Sequence, residues 1–218
     1  MSDDSRKGAT VTAAGFVPSG ASLEELAAAA GDCHGCELWE QATQTVFGRG
    51  APDAPLVLVG EQPGDLEDQR GAPFVGPAGR LLVRALDEAG VDRTSVYVTN
   101  AVKHFRFTLA PSGRRLHQTP DLTHLLACRP WLEAELNLLR PRLVVLLGAS
   151  AARTLLGPAF RVTRDRGRLL PGPAGSGARL MATVHPSAVL RTEPERQPAA
   201  YAAFVADLHI AAEATATG

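Results

Sequence analysis

No stretch of about eighteen consecutive apolar residues occurs in the chain, so nothing in it reads as a membrane span. The first twenty residues, MSDDSRKGATVTAAGFVPSG, lack the apolar middle of a signal peptide. The expectation is a flexible polar tail over residues 1–21 and a single domain over 22–218, in a cytoplasmic, monomeric protein. Cysteine is scarce. Three cysteines cannot pair evenly, which argues against the disulfide framework of a secreted fold. Net charge is nearly absent, −1 at pH 7, so composition gives no global signal for nucleic acid. Internal repeats are also lacking. A chain of 218 residues suffices for one α/β domain with a full core.

The charge that is present is unevenly placed. Asn100–Pro120, NAVKHFRFTLAPSGRRLHQTP, carries Lys103, Arg106, Arg114 and Arg115 and no acid. Further along, Arg161, Arg164, Arg166 and Arg168 stand against Asp165 alone. Two basic patches on a neutral protein point to a directed anionic partner. Within the first patch TLAPSG reads as a turn, because Pro pre-sets φ and Gly supplies positive φ. A loop of that length in a compact domain is usually functional or disordered. The plain alternative is a solvated insertion with surface arginines.

Periodicity alternates between strand and helix. Ser22 is a good N-cap for SLEELAAAAG, with Glu25 at the capping-box position and Gly31 as the stop. PLVLVG (55–60), SVYVT (95–99), LVVLL (143–147) and LMATV (180–184) are short apolar runs of the buried-strand kind. Helices are expected over about 78–89, 120–140, 150–156 and 198–212. The glycines and prolines between 61 and 77 predict no regular structure there. This alternation argues for a parallel α/β sheet of four strands with right-handed crossovers.

Cys33 and Cys36 are spaced C-x-x-C. A redox pair would sit at the start of a helix after a strand, whereas this motif follows a helix, so redox catalysis fits poorly. A metal or cluster site needs more donors. Cys128 can be the third and His104 is the best fourth candidate. Zinc and an iron–sulfur cluster both accept such a set, and spacing does not separate them. Two structural thiols are the plain alternative.

In open α/β sheets ligands sit beyond the carboxyl ends of the strands. Three expected strand ends deliver polar groups there: Glu61-Gln62, Asn100, and His185-Pro-Ser187. Phe74, in GAPFVGP, adds an aromatic face or is simply core. Each alone is weak, and together they mark a site.

GEQPGD with PFVGPAGRLL, then VTNAVKH, then VHPSAVLR, resembles the uracil-DNA glycosylase superfamily, and the cysteines resemble its iron–sulfur, family 4 branch. The likeness runs from about Cys33 to the last helix. It departs from family 4 at Gln62, where that branch has Ala, and at His104, where it has Cys. Both departures, with GRRLHQTP, resemble the UdgX group, whose members become covalently joined to uracil-containing DNA. That group has KRRIH where this chain has GRRLH, one residue shorter before it.

The resemblance implies a three-layer α/β/α fold around a central four-stranded parallel sheet. It also implies a [4Fe–4S] cluster on Cys33, Cys36, His104 and Cys128, and uracil excision from single-stranded or flipped-out DNA. Asn100 would read the uracil edge, Phe74 would stack on the ring, and Gln62 and Asp65 would lie against the substrate. His185 would donate to O2, and Ser187 and Arg191 would hold phosphate. Lys103, Arg106, Arg114 and Arg115 would face the DNA backbone. His117 would attack C1′, with Glu61 as its proton acceptor. The alternatives are a multiple-turnover glycosylase using a Glu61-activated water, and a non-catalytic iron–sulfur nucleic-acid-binding module.

Overall fold

The structure is a computed structural model and describes residues 12–216. The strands are β1 (Arg49–Gly50), β2 (Leu56–Gly60), β3 (Val96–Asn100), β4 (Phe107–Leu109), β5 (Arg115–His117), β6 (Leu143–Leu147), β7 (Leu170–Pro171) and β8 (Arg179–Thr183). The helices are α1 (Leu23–Ala30), α2 (Asp65–Arg70), α3 (Pro77–Glu88), α4 (Leu122–Leu139), α5 (Ala149–Leu156), α6 (Val162–Asp165), α7 (Pro186–Leu190) and α8 (Gln197–Ala216). Among the described residues no helix is long and apolar enough to cross a membrane.

Six strands form one sheet in the order β1-β3-β2-β6-β8-β7. Its centre is the expected parallel quartet β3-β2-β6-β8. The two short edge strands run antiparallel and were not expected from the sequence. Successive strand side chains point to opposite faces, so each central strand feeds two cores. Val57, Val59, Val144, Leu146 and Ala182 pack with α1, α4 and α5. Leu56, Leu58, Val145, Leu147 and Met181 pack with α3, α7 and α8. Each such aliphatic side chain, fully buried, contributes roughly 1.5–3 kcal/mol. The result is an α/β fold with helices on both faces of a mainly parallel sheet.

The capping box of α1 is formed: Ser22 Oγ accepts the Glu25 N–H and the Glu25 carboxylate accepts the Ser22 N–H. Three expectations are corrected. Of the expected tail, residues 1–11 lie outside the described residues. From Thr12 onward the segment is packed: Ala13–Phe16 is a 3-10 turn and Ala13 is buried in the core. The stretch after β2 is not irregular throughout, because α2 forms there with Gly71 closing it at φ +66°. Asn100–Pro120 is not an open loop. Its middle is the β4–β5 hairpin, with Phe107 opposite His117 and Leu109 opposite Arg115.

Candidate active site

Parallel alignment brings the carboxyl ends of the four central strands to one edge, with Gly60 opposite Asn100 and Leu147 opposite Thr183. The Ala101 N–H donates to the Gly60 carbonyl, Val102 to Glu61, and Gly148 to Thr183, so the segments leaving the strands are stitched together.

Asn100 is buried, and its Oδ1 is the one buried side-chain polar atom without a hydrogen-bond partner among the described residues. A buried acceptor left unmade costs about 1–3 kcal/mol, so it marks a place where a ligand donor fits. Gly60 makes the room. A Cβ there would collide with Asn100 Oδ1 and lie 2.8 Å from Phe74 Cζ. Phe74 itself stands at φ +56°, a conformation that costs a bulky residue on the order of 1–3 kcal/mol. Beside it Glu67, buried, accepts the Gly76 N–H at 2.7 Å and anchors the turn that carries the ring.

His185 caps α7. The Ser187 backbone N–H donates to His185 Nδ1, at 3.2 Å. A backbone N–H can only donate, so Nδ1 holds the lone pair and Nε2 carries the proton. Burial, then Arg191 and His117, push its pKa down to about 4, so the ring is neutral at pH 7. The Phe74 and His185 rings lie 6.3 Å apart, centroid to centroid.

Glu61 is held from behind by Ser150, whose hydroxyl donates to Oε2. Its Oε1 lies 3.5 Å from His117 Nε2, at the end of β5. Burial and Arg191 lower the His117 pKa below the ordinary imidazole value, while Glu61 opposes the shift. His117 is thus a neutral, half-exposed imidazole facing a carboxylate. Ser150 escaped the sequence reading, although GAS directly after LVVLL is a polar group at a strand end like the three that were noticed.

Gln62 and Asp65 hold the hairpin instead of offering free groups to a substrate. The Gln62 amide is fully used: Nε2 donates to the carbonyls of Arg106 and Gln118 at 3.1 Å each, and Oε1 accepts the Arg106 N–H at 3.0 Å. It ties together the two ends from which β4 and β5 spring. The Asp65 carboxylate receives Arg115 Nε and Gln69 Nε2. Replacing Gln62 with alanine is expected to leave the sheet intact and loosen the hairpin. Faster amide exchange at Arg106 and Gln118, with other strands unchanged, is the check; unchanged exchange would show the clamp to be idle.

The four basic residues separate. Lys103 is 1% exposed and paired with Glu135, so it does not reach DNA. Arg115 is held by Asp65 and Asp68 and lies over the rings of Phe105 and Phe107. Its charge is already matched, and it pins the hairpin to α2. Arg114 is exposed. Arg106 is partly exposed beside Asp121 and donates to the Thr119 carbonyl. Arg191, exposed, donates to Ser187 Oγ at 3.2 Å, so both stand next to His185.

Cys33, Cys36, His104 and Cys128 line one pocket with Ala13, Gly35, Lys103 and Ala127. Trp131 Nε1–H donates to Cys33 Sγ at 3.2 Å, and the Lys103 N–H to Cys128 Sγ at 3.3 Å. Burial pushes the Cys128 thiol up to about 12 and raises Cys36. Thr45 sets the His104 tautomer. Its hydroxyl donates to the Ala30 carbonyl at 2.9 Å, so at 2.8 Å it accepts from His104 Nε2–H. Nδ1 is left with the lone pair. Among the described residues no three His, Cys, Asp or Glu side chains are drawn together as a single metal ion needs.

An unpartnered amide oxygen, a neutral histidine and an aromatic ring meet at the carboxyl edge of a mainly parallel sheet with helices on both faces, which makes this an α/β protein with its polar groups gathered at the strand ends. Residues 47–209 match the family model "Uracil DNA glycosylase superfamily", and the chain belongs to that superfamily. It is 35% identical over 191 residues to a type-4 uracil-DNA glycosylase of Pyrobaculum aerophilum, covering 85% of this chain and 91% of that one. With the type-4 enzyme of Thermotoga maritima the identity is 38% over 160 residues, 73% and 78% of the two chains. With that of Sulfurisphaera tokodaii it is 35% over 152 residues, 67% and 66%. The crystal structure of Pedobacter heparinus SMUG2 shares the fold at a TM-score of 0.51 and 12% identity, over 76% of this chain and 77% of that one.

Proposed function

We propose that this chain is a uracil-DNA glycosylase that keeps the DNA it acts on, joined through His117 to C1′ of the sugar it has stripped. Type-4 relatives at about 35% identity support uracil excision. The observation that carries the capture step is the neutral His117 ring set 3.5 Å from Glu61 on a clamped hairpin.

Uracil presents a carbonyl, an N–H and a carbonyl on one edge. Asn100 Oδ1 accepts the N3–H that it lacks in the protein alone, and its amide donates to O4. The base must leave a duplex stack to reach this crevice, unless the DNA is single-stranded. Phe74 stacks on the ring. His185 donates from Nε2 to O2, where charge gathers as the N-glycosidic bond breaks. Uracil departs as the anion, and the sugar is left electron-poor at C1′.

A ring nitrogen of His117 then gives its lone pair to C1′, and the imidazolium so formed loses its N–H proton to Glu61. A neutral imidazole on the sugar is a poorer leaving group than the uracil anion was, so the adduct persists. Arg106, Arg114, Ser187 and Arg191 are proposed to face phosphate.

We further propose that Cys33, Cys36, Cys128 and His104 Nδ1 hold a [4Fe–4S] cluster. A single zinc ion would draw its donors to about 2.0–2.3 Å. These donors share a pocket without converging on one point, which suits a larger centre, and the N–H groups on two sulfurs suit thiolates. When bound, such a cluster would tie the segment before β1, the base of the hairpin and α4 together. Alanine at His104 is expected to lower bound iron per chain, measured with the visible absorption. Unchanged iron would exclude His104 as a ligand.

A uracil-containing oligonucleotide, incubated with the protein and run on a denaturing gel, tests the capture. A shifted band resistant to heat and detergent is expected. Abasic DNA in excess of protein would instead show turnover by a Glu61-activated water, and unchanged DNA would leave only binding.

A further inference from the structure

Lys103 and Glu135 form an ion pair that no step of uracil excision employs. Their side chains are 1% and 0% exposed. The Lys103 ammonium donates to Thr99 Oγ1 at 2.7 Å, to the Asn100 carbonyl at 2.9 Å and to Glu135 Oε2 at 2.5 Å. All three of its protons are used. Glu135 also accepts the Tyr97 hydroxyl and the Thr99 hydroxyl, both at 2.9 Å. Burial first, then the Glu135 charge, drives the Tyr97 phenol far above its ordinary range and keeps it a donor.

A buried ion pair is a poor way to gain stability. Desolvation offsets much of the attraction, and an apolar pair of similar volume is often as stable. What an apolar pair cannot do is hold a carbonyl at a set angle. Here the carbonyl held is that of Asn100, whose own side chain is the unpartnered one. Lys103 reaches the other way through its backbone, donating to Cys128 Sγ, and its neighbour is His104. Glu135 lies on α4, as Cys128 does.

We infer that Lys103 is a positioning residue for Asn100: its ammonium, oriented by Glu135, fixes the Asn100 peptide so that Oδ1 stays turned into the crevice. It also registers that placement against the sulfur pocket. The inference rests on the uracil-excision reading and is independent of the capture by His117.

The test uses the full chain with its cofactor and compares wild type, Lys103→Met, and Lys103→Met/Glu135→Leu. The single variant strands a buried carboxylate and is expected to melt well below wild type. The double variant is expected to melt above the single one, still below wild type because the Tyr97 and Thr99 hydroxyls lose their acceptor, and to keep its visible absorption, yet to stay at least tenfold down in kcat for uracil release. Its KM should change little, and the Asn100 side-chain amide NMR signals should shift or broaden. A double variant that melts like wild type and excises at full rate, with unmoved amide signals, would overturn the inference. Should the double variant fail to fold, Glu135→Gln keeps the volume and is read the same way: lower kcat with moved signals supports the inference, and unchanged values overturn it. If wild type released no uracil, the excision reading would fall, while the amide signals would still report the positioning.

Discussion

Asn100→Ala is expected to lower kcat/KM for uracil release by about 10²–10³-fold, the scale of losing one preorganised hydrogen-bonding group at a reacting centre. The variant removes the one unpartnered buried side-chain acceptor among the described residues and leaves the sheet, Phe74 and His185 in place. Because an orphaned acceptor costs stability in the free protein, the melting temperature should hold or rise slightly. Measuring both on one preparation separates a pocket residue from a core residue. Should Asn100→Ala excise at the wild-type rate, the edge of the base is read by something else.

His117→Ser is expected to abolish the gel-shifted adduct while uracil continues to be released, because no group that contacts the base is touched. Loss of uracil release as well would make His117 part of bond cleavage. The wild-type protein carries the same test in its pH dependence. The nucleophile is the neutral ring. Burial holds the His117 pKa below the ordinary imidazole value, so the ring is neutral at pH 7 and loses its lone pair as pH falls through that lowered value. His185 stays neutral until about 4, where protonation at Nδ1 would break its cap with the Ser187 N–H. Acidification is therefore expected to cost capture as the His117 ring takes up its proton. Adduct yield that stays constant as pH falls would rule out the neutral His117 ring as the nucleophile.

Much of this was legible along the chain. Short apolar runs broken by amphipathic stretches are enough to call for parallel strands with helices on both faces, since only that arrangement buries them twice over. The polar residues directly after those runs, Glu61, Asn100 and His185, follow from the same logic. Local charge was a poorer guide. Lys103 and Arg115 look like their neighbours Arg106 and Arg114 in sequence, yet Lys103 is drawn inside by Glu135 and Arg115 is neutralised by Asp65 and Asp68. Each of those partners lies more than thirty residues away, by the separations of 32, 50 and 47.

By itself, then, the sequence determined which side chains stand at the ends of the strands, because strand ends are set by local pattern. Tertiary structure alone decided what the long basic stretch is. Ala110–Gly113 makes a turn and residues 107–117 close into a hairpin, but nothing local says where its tip and base go. Three hydrogen bonds from Gln62 and the Arg115 carboxylate clamp set that, and they bring His117 to Glu61. The four cysteine and histidine donors likewise share a pocket only because α1, the hairpin base and α4 pack against one another. Contacts between distant segments depend on the whole core being assembled, and no window of sequence contains them.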